Sequence, residues 1–171
     1  MVAALELYLD PDASRRVRTL WAALEADGVP TVATLMDGLH RPHVSLAVAD
    51  QLEPQAVAEA LDGLSAVPPV RLAFHFAGQF LGRVLWLGPA PSLPLLEHQA
   101  EVDRRLAAAG IAVWDHYRPG HWVPHCTVSM RVPNPVMGAA IRRCLEYVPI
   151  EATLVGAAVA DHARGIRHEI A

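Results

Sequence analysis

Short apolar segments alternate with amphipathic segments of helical periodicity along the whole chain. The first segment, residues 2–9, is apolar and ends at Asp-Pro, which is typical of a strand. In residues 13–26 the apolar side chains recur at helical spacing and Gly28 follows as a stop signal, so this pattern predicts a helix. The same criteria predict the other elements. Strands are expected over residues 31–36, 43–49, 70–76, 84–87, 111–114, 125–131, 151–160 and 166–170, and helices over residues 54–64, 95–109 and 135–147.

The predicted elements of the first half recur in the second half in the same order. A shift of 82 residues, the separation of His43 and His125, superimposes the helix at 13–26 on the one at 95–109. The match lies in the order of elements rather than in residue identity, and a turn-rich segment joins the halves. The pattern therefore predicts one domain, residues 1–171, built from two similar half-units of roughly residues 1–85 and 86–171.

One short motif occurs once in each half-unit. The stretches "RPHVSLAV" (residues 41–48) and "VPHCTVSM" (residues 123–130) both place Pro, His, an apolar residue and a hydroxyl residue in the same order. Residues i and i+2 of a strand point to one face, so His43 and Ser45 share a face, as do His125 and Thr127. The residue between them points into the core. If both strands line one cleft, two imidazoles and two hydroxyls surround a small volume.

This set of side chains suits the chemistry of a phosphate diester. Imidazole titrates near neutral pH, so one of His43 and His125 can accept a proton from an attacking hydroxyl or water while the other protonates the leaving oxygen. The Ser45 and Thr127 hydroxyls can hydrogen-bond the non-bridging phosphate oxygens, where charge concentrates in the transition state. The scheme needs no metal. It leaves open which histidine is the base and which is the acid.

Paired motifs of this kind, half a chain apart, resemble those of the 2H phosphoesterase superfamily, and within it the 2′-5′ RNA ligase (LigT-like) and cyclic phosphodiesterase group. The resemblance implies an α+β fold with two pseudo-symmetric lobes of mainly antiparallel sheet and outer helices around a central cleft. Matching residue by residue makes His43 and His125 catalytic and Ser45 and Thr127 phosphate-binding. Motif one has Ser where Thr is commoner, and Asp50 follows it where basic residues often follow.

The same resemblance implies a function. A phosphodiesterase without a cofactor is expected, acting on 2′,3′-cyclic phosphate or 2′-5′ phosphodiester bonds of RNA ends or nucleotides, with weak reverse RNA ligase activity. The alternative is a non-catalytic module on the same fold that binds a nucleotide or an RNA end. Turnover of a 2′,3′-cyclic nucleotide separates the two hypotheses.

Residues that flank the motifs are candidates for substrate binding. The guanidinium groups of Arg41, Arg118 and Arg131 suit bidentate contacts to phosphate, although each is equally well explained as a solvated surface residue. Tyr117 and Trp122 lie in a predicted loop before the second motif. Their rings can stack on a base or cap an edge of the sheet, and the sequence does not decide between these roles.

Composition excludes several classes of protein. The formal net charge of −4 argues against nonspecific binding of long nucleic acid. All 14 cationic residues are Arg, and the chain has no Lys. No apolar run reaches the length of a membrane span, and the N-terminus has no basic region typical of a signal peptide. We expect a cytoplasmic protein with reduced thiols. A monomer is expected, although the sequence does not fix the oligomeric state.

Cysteine and histidine spacing argues against a disulfide framework or a metal site. Cys126 and Cys144 form no C-x-x-C pair, and both are expected in the core. His116, His121 and His125 cluster near Asp115, but their spacing matches no standard ligand pattern, so no metal is expected.

Overall fold

Seven strands and five α-helices make up the part of the chain that the computed structural model describes, residues 2–35 and 40–170. The strands are β1 (Ala3–Leu9), β2 (His43–Ala49), β3 (Arg71–Phe80), β4 (Val84–Pro89), β5 (Cys126–Ser129), β6 (Ile150–Asp161) and β7 (Ile166–Ile170). The helices are α1 (Pro11–Ala26), α2 (Val32–Leu35), α3 (Pro54–Ala60), α4 (Leu93–Ala108) and α5 (Met137–Leu145). Two 3₁₀-helices, Asp115–Tyr117 and Asn134–Val136, complete the structure. The predicted α+β class is confirmed.

The long strand β6 joins two antiparallel half-sheets. The strand order is β2-β1-β6-β3-β4-β5, and β7 pairs with the second half of β6. Residues 150–153 of β6 pair with β3, whereas residues 154–160 pair with β1. Residues 157–161 pair with β7. The half-sheets are therefore β2-β1-β6-β7 and β6-β3-β4-β5, with β6 common to both.

The two half-units exchange strands. The offset of 82 residues places α1 on α4, β1 on β4, β2 on β5 and β3 on β6. Yet β3 lies beside β4 of the second half-unit, and β6 lies beside β1 of the first. Each motif-bearing strand pair, β1-β2 or β4-β5, is thus extended by the third strand of the other half-unit. This exchange ties the two halves into one framework.

The two longest helices begin at side-chain caps and cover the sheet with one apolar face. The Asp10 carboxylate accepts hydrogen bonds from the backbone of Asp12 and Ala13 at the start of α1, and the Ser92 hydroxyl accepts one from Leu95 at the start of α4. A proline lies in the first turn of each helix, where its missing N–H costs nothing. Their buried residues include Val17, Leu20, Trp21 and Leu24 in α1, and Leu95, Gln99, Val102 and Leu106 in α4.

Two predicted strands are wrong. Residues 31–36 were expected to form a strand, but α2 occupies Val32–Leu35, and Met36 lies outside the described residues. The Thr31 hydroxyl accepts the backbone N–H of Ala33, and this local cap favours a helical turn. Residues 111–114 form no ladder; only the Trp114 N–H reaches β2 among the described residues, at the carbonyl of Val48 (2.8 Å).

The structure also bears on membrane insertion and on disulfide formation. In the described ranges, no helix combines the length and the apolarity that a bilayer crossing requires. Both cysteines are fully buried and unpaired with each other, as the sequence predicts.

The close contact of Gly78 with the Trp86 ring provides a test of the packing in the second half-sheet. A Cβ at Gly78 would lie 2.5 Å from Cζ2 of Trp86, whose ring also packs against Phe80 with centroids 5.0 Å apart. We expect Gly78→Ala to lower the free energy of unfolding by about 1–3 kcal/mol, because the ring or the strand must shift. Chemical denaturation measures the change.

Gly138→Ala is the matched control for this substitution. The nearest atom to a Cβ at Gly138 is 3.6 Å away, and the residue lies in α5. This change should be neutral or should stabilise the fold by up to about 1 kcal/mol. Equal stability of the two variants would contradict the packing described for Trp86.

Candidate active site

The two motif histidines are held by equivalent hydrogen bonds, one in each motif. Nδ1 of His43 lies 2.7 Å from the carbonyl oxygen of Arg41, and Nδ1 of His125 lies 2.7 Å from that of Val123. A carbonyl oxygen only accepts, so Nδ1 carries the proton and donates in both cases. Nε2 of each ring is therefore the nitrogen directed away from its own backbone. His43 opens β2, and His125 directly precedes β5.

Strand register determines what lies beside each motif. In the β1-β2 pair Tyr8 lies opposite His43 and Glu6 lies opposite Ser45. Directly opposed residues of an antiparallel pair share a sheet face. The first motif therefore shares its face with an acid and a phenol, both contributed by β1.

The second motif has a different neighbour at the equivalent place. In the β4-β5 pair Trp86 lies opposite Thr127. Trp86 thus takes the position that Glu6 takes beside the first motif. The two motifs are alike in their own residues and unlike in their surroundings.

A buried carboxylate lies at the centre of the first motif's surroundings. The Glu6 side chain is 1% exposed; its Oε1 accepts from Nε2 of His162 (2.7 Å) and lies 3.3 Å from Nε2 of His43, and its Oε2 accepts from the Tyr8 hydroxyl (3.0 Å). Burial raises the pKa of Glu6, but the charge of His43 and the hydrogen bond and charge of His162 outweigh burial and hold that pKa at about 2. The charge of His40 acts in the same direction.

Sequence reasoning missed Glu6, although a signal for it exists. In "ALELYL" the leucines occupy alternate positions and pack in the core, while Glu6 and Tyr8 share the opposite face of β1. A charged residue inside a strand that is buried on both faces is costly unless it is paired. Such a residue indicates a buried network of hydrogen bonds or ion pairs, with either a functional or a structural role.

Aromatic rings surround the second motif histidine. The His125 ring packs edge-on against Phe80, with centroids 4.8 Å apart, and lies 6.2 Å from the Trp86 ring. Burial lowers the pKa of His125 to about 4 despite the opposing hydrogen bond to Val123; the positive charges of His43 and His116 lower it further. His125 is therefore neutral at pH 7, with Nε2 as its acceptor.

Contacts between the two motifs show that they adjoin each other. Strands β2 and β5 contact each other, and the positive charge of His43 lowers the pKa of His125. Val44 and Cys126 are fully buried behind the motifs. The two histidines thus lie within electrostatic reach of each other.

The loop before the second motif is fastened to β2 of the first. Nε1 of Trp122 donates to the carbonyl of Ser45 (3.0 Å). Buried Gln99 of α4 donates to the carbonyls of Tyr117 (2.6 Å) and Leu46 (3.3 Å). Sequence reasoning missed Gln99 because a glutamine on a helix carries no signal of burial. The network fixes the loop between the two half-units.

A cavity of about 650 Å³ opens beside the second motif. His125 and Thr127 line it together with aromatic and apolar side chains, including those of Phe80, His116, Tyr117, Trp122 and Met130. His43 and Ser45, each 8% exposed, are not among the lining residues. Trp122, which lines the cavity, connects the first motif to it through its hydrogen bond to the carbonyl of Ser45.

Comparison with known proteins identifies the family. The model of the 2′-5′ RNA ligase superfamily matches residues 9–166. The chain belongs to the 2′-5′ RNA ligase superfamily. No curated protein gives a significant match to the sequence of this superfamily member.

Solved structures similar to this superfamily member share its fold at low sequence identity. The crystal structure of E. coli LigT in apo form has a TM-score of 0.66 and 19% identity, and covers 98% of this chain and 92% of its own. E. coli LigT complexed with 3′-AMP has a TM-score of 0.65 and 16% identity, with coverage of 98% and 91%. A crystal structure of a phosphoesterase has a TM-score of 0.62 and 20% identity, with coverage of 98% and 92%. The expected 2H phosphoesterase, LigT-like group is confirmed.

The three candidate arginines of this superfamily member lie apart from one another. The Arg41 guanidinium lies 5.4 Å from the centroid of the Tyr8 ring, in a small cavity that it shares with Arg167. Arg118 pairs with Asp115 (3.3 Å) and is largely exposed. Arg131 is exposed after β5 and does not line the cavity beside the second motif. Only Arg41, of the three candidates, adjoins the side chains around His43.

The two cysteines are buried thiols with raised pKa values. Burial raises the pKa of both Cys126 and Cys144 to about 12, so their thiols stay protonated at neutral pH. Within residues 2–35 and 40–170, no group of three or more His, Cys, Asp or Glu side chains is arranged to hold a metal ion.

The lowered pKa of His125 predicts a pH-dependent loss of stability. In the unfolded chain His125 protonates near pH 6.5, whereas in the fold it resists protonation until about pH 4. The free energy of unfolding should therefore fall as pH drops from 6.5 to 4, with His125 contributing up to about 3 kcal/mol of that fall. Denaturant titrations across this window measure it.

His125→Asn should flatten that pH dependence. The asparagine amide can still donate to the carbonyl of Val123, but it does not titrate. His75→Asn, at an exposed position on β3, is the control and should follow the wild-type profile. The account of His125 fails if both variants lose stability with acid as the wild type does.

Proposed function

We propose that this protein is a metal-independent phosphodiesterase that acts on 2′,3′-cyclic phosphate or 2′-5′ phosphodiester bonds of RNA ends or nucleotides. His43 and His125 supply acid–base catalysis, and Ser45 and Thr127 bind the phosphate. The observation that supports this proposal most directly is that the two histidines are held in the same way. Nδ1 of each ring donates to the backbone carbonyl two residues earlier. Nε2 is thus the nitrogen of each ring that can exchange a proton with a ligand, and Nε2 of His43 also lies 3.3 Å from Oε1 of Glu6.

The proposed chemistry uses two proton transfers. One Nε2 accepts a proton from water as the water oxygen forms a bond to phosphorus. The other Nε2 donates a proton to the 2′ or 3′ oxygen as its bond to phosphorus breaks, which leaves a phosphate monoester. The hydroxyls of Ser45 and Thr127 can stabilise the charge on the non-bridging oxygens. A 5′-hydroxyl in place of water forms a 2′-5′ bond, which is the weak reverse ligation.

The cavity beside the second motif supports a nucleotide substrate. Its aromatic wall, including Phe80 and His116, offers faces on which a nucleobase can stack beside His125. E. coli LigT, which shares the fold, has been crystallised with 3′-AMP. A base in this cavity would leave its phosphate near the two motifs.

A non-catalytic module that binds nucleotides or RNA ends is the second candidate. The aromatic cavity alone would serve it equally well. A binding module, however, gains nothing from two histidines with matched Nδ1 bonds, whereas acid–base catalysis needs both. Turnover therefore distinguishes the candidates.

Substitution of the histidines tests the proposed enzyme. His43→Asn and His125→Asn should each reduce hydrolysis of adenosine 2′,3′-cyclic phosphate by about 10²–10⁴-fold, because each removes one proton-transfer group. The double variant should lose little more than either single variant, since residues that act as a unit are not additive. Wild-type activity should survive EDTA, because the two histidines supply the proton transfers.

His75→Asn is the matched control and should keep wild-type turnover. Near-full activity of either site variant on every phosphodiester tested would refute the paired-histidine mechanism. Absence of turnover in the wild type, together with binding of the nucleotide, would favour the binding module instead.

A further inference from the structure

A small cavity of about 330 Å³ opens beside the first motif. Its polar lining residues are Tyr8, Arg41, His162 and Arg167. The rings of Tyr8 and His162 lie beside that of His43, with centroids 6.5 Å and 6.2 Å away. The four motif side chains that are proposed to act on the reacting phosphate are not among the lining residues. A ligand in the small cavity would therefore adjoin the proposed catalytic site without occupying it.

The register of the first half-sheet explains the space in the small cavity. Tyr8 of β1 lies opposite Gly156 of β6, and Arg167 of β7 lies opposite Ala160 of β6. Opposed residues share a face, and residues two apart on one strand do so as well, so Tyr8 and Arg167 lie on one face. The residues that β6 contributes to that face are Gly156, Ala158 and Ala160. Their side chains are a hydrogen atom or a methyl group, which leaves room between Tyr8 and Arg167.

Arg41 and Arg167 give the small cavity its positive charge. The Arg41 guanidinium lies over the Tyr8 ring, 5.4 Å from the centroid, in a cation–π contact. Burial and Glu6 raise the pKa of Tyr8, and the positive charges of Arg167 and Arg41 both oppose that rise, so both act on the same phenol. Within residues 2–35 and 40–170, neither guanidinium forms an ion pair with a carboxylate. Both are thus able to bind an anion.

Two carboxylates lie on the same face of the half-sheet but outside the lining of the small cavity. Glu6 is 1% exposed, and its two oxygens accept hydrogen bonds from the Tyr8 hydroxyl (3.0 Å) and from His162 (2.7 Å). Glu169 of β7 is exposed and lines an adjoining groove. The surface that the small cavity offers to a ligand therefore carries two guanidinium groups and no carboxylate among its described lining residues.

A phosphate group suits this surface. Guanidinium groups bind phosphate oxygens through paired N–H donors, and they stay charged at any physiological pH. The reacting phosphate is assigned to the two motifs, so a phosphate in the small cavity is a different one. In an RNA that ends in a 2′,3′-cyclic phosphate, the nearest other negative charge is the phosphodiester on the 5′ side of the terminal ribose.

Resting on the proposed function, we infer that the small cavity is a second phosphate subsite, in which Arg41 and Arg167 bind the phosphate on the 5′ side of the terminal nucleoside. His43 and His125 act on the 2′,3′-cyclic phosphate of the same nucleoside. The substrate class is then an RNA end, or a nucleotide that carries a 5′-phosphate. A nucleoside cyclic phosphate without that group leaves the subsite empty.

Substrates that differ in the second phosphate test the inference. The dinucleotide ApA 2′,3′-cyclic phosphate should have a kcat/KM about 10–100-fold above that of adenosine 2′,3′-cyclic phosphate, because it adds an anion that two guanidinium groups can bind. The same dinucleotide with a neutral methylphosphonate linkage is the matched control and should lose this gain. A gain that the methylphosphonate retains would overturn the inference, since the second nucleoside and not the charge would then be recognised.

The 5′-phosphorylated form of adenosine 2′,3′-cyclic phosphate distinguishes the two sources of the phosphate. A gain equal to that of the dinucleotide would assign the subsite to any 5′-phosphate. A gain confined to the dinucleotide would assign it to an internal phosphodiester of RNA. Absence of a gain from either compound would overturn the inference.

Substitution of the two arginines tests the location of the subsite. Arg41→Gln and Arg167→Gln should each reduce the ratio of kcat/KM for the dinucleotide to that for adenosine 2′,3′-cyclic phosphate by about 10-fold, because each removes charged hydrogen-bond donors. Arg142→Gln, at an exposed position on α5, removes the same charge and should keep the wild-type ratio. A wild-type ratio in both cavity variants would refute the inference.

Equilibrium binding separates this inference from the function on which it rests. By isothermal titration calorimetry, ApA 3′-phosphate should bind more tightly than 3′-AMP, and the difference should shrink in Arg41→Gln and Arg167→Gln. This binding pattern in a protein that turns over no phosphodiester would refute the proposed function and leave the subsite standing. Turnover of adenosine 2′,3′-cyclic phosphate, with no preference for the dinucleotide in turnover or binding, would refute the subsite alone.

Discussion

The hydrogen bond from Nδ1 of each motif histidine to the carbonyl two residues earlier is the constraint on which the site depends. Pro42 and Pro124 stand between donor and acceptor, where a fixed φ of about −65° and an extended preceding residue hold that carbonyl in place. The bond selects the tautomer and directs Nε2 of His43 and His125 away from the chain. Strand alternation then places a hydroxyl two residues later on the same side.

Strand exchange between the half-units brings the two motifs together. Because β6 completes the half-sheet of the first motif while β3 completes that of the second, neither motif-bearing pair is extended by its own half-unit. The Trp122 indole donates across to the carbonyl of Ser45 on β2, and β5 contacts β2. The geometry of the site is thus a consequence of the sheet, and a change that separates the half-sheets would separate the histidines.

The sequence pattern of each short segment predicted the two motifs. The residues that surround the motifs come from strands distant in sequence, which the pattern does not predict. The pattern at residues 43–49 and 125–131 was sufficient for two strands with His and hydroxyl on one face. Glu6 and His162 reach His43 through the pairing of β1 with β2 and β6, and register between distant strands is not readable from a single sequence. The errors at residues 31–36 and 111–114 arose where short apolar runs had no pairing partner to make them strands.

A crystal structure of the protein with bound 3′-AMP tests the central claim, that both half-units act on one phosphate. The account predicts the phosphate within about 2.6–3.2 Å of Nε2 of both His43 and His125, and of the Ser45 and Thr127 hydroxyls, with the base against the aromatic wall of the cavity. A phosphate that contacts only one histidine, or a nucleotide bound elsewhere on the sheet, would contradict it.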